Sequence, residues 1–117
     1  MSNHKIDLYK NELKILKRGK FDHLINLKEL KLSYNLIHKI ENGTFANLFN
    51  LTHLFLNNNK LINLNKDLFN DLVNLENLNL RWNKLRSINK DQFKNLHNLK
   101  LIDLSWNRIN EIPSKRT

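Results

Sequence analysis

The chain has 117 residues, 40% of them hydrophobic, and its 20 Lys and Arg outweigh 11 Asp and Glu for a net charge of +9. Cysteine is absent, which excludes a disulfide framework or a thiolate metal site. No stretch is long and apolar enough to span a membrane, and with one proline and two glycines there is no flexible linker.

Along the chain one frame recurs, with Asn11, Asn35, Asn59, Asn83 and Asn107 spaced by 24 residues. A fixed period of this length marks a stacked-repeat protein. The repeats run over residues 3–26, 27–50, 51–74, 75–98 and 99–117, the last incomplete, so residues 1–117 are expected to form a single domain. Within each repeat, position four (Ile6, Leu30, Leu54, Leu78, Ile102) and position six (Leu8, Leu32, Leu56, Leu80, Leu104) are apolar and two apart. That alternation predicts a short strand burying one face. Next comes the asparagine, whose amide holds both donor and acceptor and suits buried backbone groups of its own coil and the next. Two further apolar columns follow: Leu13, Ile37, Leu61, Leu85 and Ile109, then Leu16, Ile40, Leu64, Ile88 and Ile112. Phe21, Phe45, Phe69 and Phe93 form the next column, with Leu24, Leu48, Leu72 and Leu96 close behind. These columns break the alternation, so the chain must turn and return within each repeat. One repeat cannot bury its own apolar face, whereas about three or more in a stack can.

The frame resembles the leucine-rich repeat family along essentially the whole chain. Phenylalanine at position nineteen and leucine at position twenty-two of a 24-residue unit resemble its "typical" subclass, as in ectodomains of Toll-like receptors, Slit-type proteins and small proteoglycans. The resemblance implies an α/β solenoid, a horseshoe with a short parallel β-sheet on the concave face and irregular or short helical convex segments. It also implies a non-catalytic, receptor-like or extracellular protein-binding module whose partner sits on the concave face. A cell-surface location follows from the resemblance alone, since Met1 to Ile6 leads into the first strand without an apolar signal-peptide core. Extracellular members usually carry cysteine-rich caps, which this chain lacks, and its final repeat stops at Thr117, where phenylalanine is expected. The expectation is part of a longer protein, the alternative a small protein that self-associates through uncapped ends.

The free positions between the columns carry whatever chemistry there is. Tyr34, Trp82 and Trp106 fall in one column at position eight, with Phe55 and Arg81 beside them. Aromatic and arginine side chains dominate binding hot spots, so these five are the expected ligand-binding residues. Support of the neighbouring coils by the same rings is the competing account. Lys60, Lys84 and Arg108 repeat at position ten, and Arg18, Lys66 and Lys90 at position sixteen. Such rows suit a polyanion, a glycosaminoglycan or nucleic acid, although the lysines are distributed over several faces. The third alternative is an intracellular scaffold. His4, His23, His38, His53 and His97 occupy different repeat positions and define no metal site. No nucleophile is paired with a base, so no catalytic or cofactor residue is expected. Asn42-Gly43-Thr44 and Asn50-Leu51-Thr52 match the glycosylation pattern, while Asn50 also belongs to a turn column with Asn26, Asn74 and Asn98.

Overall fold

The alternation at positions four to six produces a strand in every coil of the computed structural model, which describes residues 4–110. Strands β1 (Lys5–Asp7), β3 (Glu29–Lys31), β5 (His53–Phe55), β6 (Asn77–Asn79) and β7 (Leu101–Asp103) form one parallel sheet in that spatial order. The register is the repeat itself, with Leu30 opposite Leu54 and Leu78 opposite Ile102. Residues sharing a repeat position are therefore lateral neighbours, about 4.8 Å apart. A second, two-stranded parallel sheet pairs β2 (Ile15–Leu16) with β4 (Lys39–Ile40) on the returning limb. The repeat frame does not announce that second sheet.

The returning segments resolve one alternative left open by the sequence: they are irregular, and no helix occurs among the described residues. Each is a series of four-residue turns, such as Thr44 N–H to Glu41 O, Leu48 N–H to Phe45 O and Leu51 N–H to Leu48 O. Gly43, at φ 89°, supplies one of the reversals.

The core is a linear stack. Leu30, Leu54 and Leu78 are fully buried, as are Leu32, Leu56 and Leu80. Phe21, Phe45, Phe69 and Phe93 stack ring over ring at 6.2, 6.3 and 6.2 Å. In the first and fifth coils Ile6, Leu8, Ile102 and Leu104 are only half-buried. Each coil is thus sealed by its neighbours, as a sum of nearest-neighbour terms requires. Asn3, Ile112 and Thr117, which the repeat frame also includes, lie outside the described residues.

The asparagine ladder bonds in one direction, and it is the reverse of the one expected. The Asn59 Nδ2 donates to Leu56 O in its own coil and to Leu32 O in the preceding one, both at 3.0 Å. Its Oδ1 accepts from Ile37 N–H, again in the preceding coil. Asn35, Asn83 and Asn107 repeat this pattern. Each amide therefore satisfies its own coil and the previous one, because the side chain follows the turn back toward the N-terminal neighbour. Among the described residues the side chain of Asn11, in the first coil, reaches only Tyr9 O, at 3.4 Å.

Candidate functional site at the rim of the concave sheet

Each strand ends in a residue that must reverse the chain before the ladder asparagine. At this position Lys10, Tyr34, Asn58, Trp82 and Trp106 all adopt left-handed backbone, with φ between 58° and 61°. Such a conformation costs roughly 1–2 kcal/mol for a residue with a Cβ. It is held by bonds to the following coil, Tyr34 N–H to Asn57 O and Trp82 N–H to Ser105 O. The consequence is geometric: the side chains swing out of the sheet onto its rim as a ledge. Tyr34, Trp82 and Trp106 remain 47%, 48% and 61% exposed.

The five residues singled out from the sequence fall into four groups along this surface. Trp82 and Trp106 stack on each other, centroids 4.6 Å apart and planes 25° apart. Tyr34 meets Tyr9 edge to face at 5.4 Å. Phe55 lies on the concave floor with His53 at 6.2 Å and the Lys31 Nζ 5.9 Å from its ring centroid. Arg81 is engaged within the sheet, its Nη1 donating to Ser105 Oγ at 2.8 Å with Asp103 at 4.0 Å. The hydrogen bonds from Ser105, its hydroxyl first and then its N–H, hold the Asp103 carboxyl below its ordinary range; Arg81 adds a smaller pull.

Two features read separately in the sequence, the aromatic column at position eight and the cation row at position ten, meet on the ledge. Lys60, Lys84 and Arg108 line the same shallow hollow as Trp82 and Trp106, a volume of about 330 Å³. Left-handed backbone at position eight turns the rings toward position ten, so the indoles and the cation row form one surface. Among the described residues no carboxylate pairs with these three cations. The signal for this was a charge at position ten recurring on three successive coils. The glycosylation patterns look different: Thr44 is buried with its hydroxyl bonded to Glu41 O, and the Asn50 Nδ2 donates to Ile25 O.

The family pattern described as "Leucine rich repeat" matches residues 4–61 and 49–109. The chain belongs to the leucine-rich repeat family. Among solved structures it is similar to the Toll-like receptor TLR13 in its crystal structure with ssRNA13, at 39% identity and a TM-score of 0.82. That match covers 91% of this chain and 14% of the receptor chain, so the present chain spans about a seventh of its relative. A search of curated proteins finds no match.

Proposed function

We propose that this chain is a non-catalytic recognition module, a single repeat domain within a larger receptor-like protein, that binds a protein ligand across its concave sheet. Tyr34, Phe55, Arg81, Trp82 and Trp106 are its anchors. The observation that carries this reading is the ledge. Three large aromatic residues stand about half exposed on left-handed backbone, where glycine would cost the fold less. Rigid rings of this kind offer large contact area at low entropy cost. The test is a protein array probed with the folded chain and with a Trp82→Ala, Trp106→Ala variant. Alanine keeps a Cβ on the same backbone, so the comparison isolates the rings. Loss of about 2 kcal/mol or more of binding is expected for a hot-spot pair, and undiminished binding by the folded variant contradicts the assignment.

A second reading is favoured by the cation row beside the indoles. Stacking platforms next to tracked positive charge suit single-stranded nucleic acid, and the similar receptor was crystallised with ssRNA13. On this reading log affinity falls with log salt at a slope of about −0.7 per phosphate, hence roughly −2 for three cations. Filter binding of an unstructured RNA oligonucleotide from low to high salt measures it. A flat response, or one unaltered by Lys60→Glu with Lys84→Glu, excludes this reading and leaves the protein ligand.

A further inference from the structure

The concave floor carries an irregularity the repeat does not require. The N–H groups at positions six and eight donate to the following coil, whereas at position seven three of the five coils cap the N–H with the side chain two residues earlier. Tyr9 N–H donates to Asp7 Oδ1 at 3.0 Å, Arg81 N–H to Asn79 Oδ1 at 3.0 Å, and Ser105 N–H to Asp103 Oδ1 at 2.9 Å. In the second and third coils the capping position holds Lys31 and Phe55, neither of which offers an oxygen. The corresponding donors, Ser33 N–H and Asn57 N–H, find no acceptor among the described residues. Around them the side chains are already paired with each other: Ser33 Oγ donates to Asn57 Oδ1 at 2.7 Å, and Asn57 Nδ2 to Asn58 Oδ1 at 2.9 Å. Two backbone N–H groups on adjacent coils are thus left without a protein acceptor among the described residues, about 4.8 Å apart by strand spacing. One carboxylate can span that gap with its two oxygens.

We propose that these two coils seat a carboxylate of the protein ligand, an aspartate or glutamate side chain or a C-terminus, on Ser33 N–H and Asn57 N–H. Lys31 supplies the countercharge. Buried or half-buried donors need partners, and the molecule itself shows the chemistry that satisfies them: two carboxylates and one amide oxygen do so in the other three coils. The N–H pair fixes direction, as paired backbone amides do in anion-binding concavities. Lys31 lies beside the Phe55 ring, so a bound acidic group would arrive with its apolar neighbour against that ring. The proposal rests on the concave-face reading above and adds the class of partner, one presenting an acidic group.

The experiment is a titration of the isotopically labelled full chain with N-acetyl-aspartate, following backbone amides by two-dimensional NMR. Expected are saturable downfield proton shifts at Ser33 and Asn57, with Tyr9, Arg81 and Ser105, already capped, unmoved. Lys31→Asp installs the missing cap, so the Ser33 response should vanish while that of Asn57 persists; Phe55→Asp should do the converse. Shifts no larger at Ser33 and Asn57 than at the three capped amides overturn the proposal. So does a Ser33 response that survives Lys31→Asp in a folded variant. A protein ligand lost by the tryptophan variant but without these shifts discards the carboxylate seat and keeps the recognition reading.

Discussion

Asn59 and Asn11 are the same residue at the same repeat position, yet they stand in unequal surroundings. Asn59 is buried and serves four backbone groups in two coils, whereas Asn11 is exposed and reaches a single distant carbonyl. An unsatisfied buried polar group costs about 1–3 kcal/mol. Asn59→Ala should therefore destabilise the chain by at least about 2 kcal/mol in urea unfolding, and Asn11→Ala by less than about 0.5 kcal/mol, as for a surface change. Equal costs would refute the ladder's dependence on the preceding coil. Asp103 makes a second residue-scale prediction. Its folded pKa lies below the ordinary 3.8, chiefly through Ser105. The stabilisation is thus present above the unfolded value and is lost as pH falls through the folded one. Asp103→Asn keeps an acceptor for Ser105 and should flatten the acid limb of a stability–pH profile; an unchanged limb would contradict the assignment. The ladder was legible because an amide repeated at a fixed period among apolar columns has backbone groups as its natural partners. The left-handed backbone was not, since tyrosine and tryptophan carry no preference for it.

At the scale of elements the phenylalanine spine decides how coils hold together. Phe69 has a ring on each side, Phe45 and Phe93, and is fully buried; Phe93 has one described ring neighbour and is half-buried. Phe69→Ala should cost about 3–5 kcal/mol, the range for a buried phenylalanine, with Phe93→Ala clearly less by the same unfolding assay. The strands and their register were readable from Leu54 and Leu56 and their equivalents, because the alternation and the 24-residue period leave one alignment. The returning limb was less legible. Columns such as Leu16 and Ile40 specify burial but not hydrogen bonding, and β2 and β4 pair through backbone groups that no side-chain pattern reports. The uncapped donors at Ser33 and Asn57 were hidden for a related reason. They arise from what Lys31 and Phe55 lack, and that matters only once the other coils reveal the cap.

Across the whole molecule the sheet, the ledge and the charge act as one surface. A rigid stack holds the positions between the columns at constant spacing, so chemistry repeated in sequence becomes chemistry aligned in space. That is why Trp82 and Trp106 stack at 4.6 Å and why Lys60, Lys84 and Arg108 border them. Because these are the only two tryptophans in the chain, their emission reports the ledge without any label. The most direct measurement is a fluorescence titration of the folded chain with a protein selected on it. The account predicts a saturable change in tryptophan emission that tracks binding, and loss of that binding in the Trp82→Ala, Trp106→Ala variant. Full-affinity binding with emission unchanged, retained by the folded variant, would contradict it.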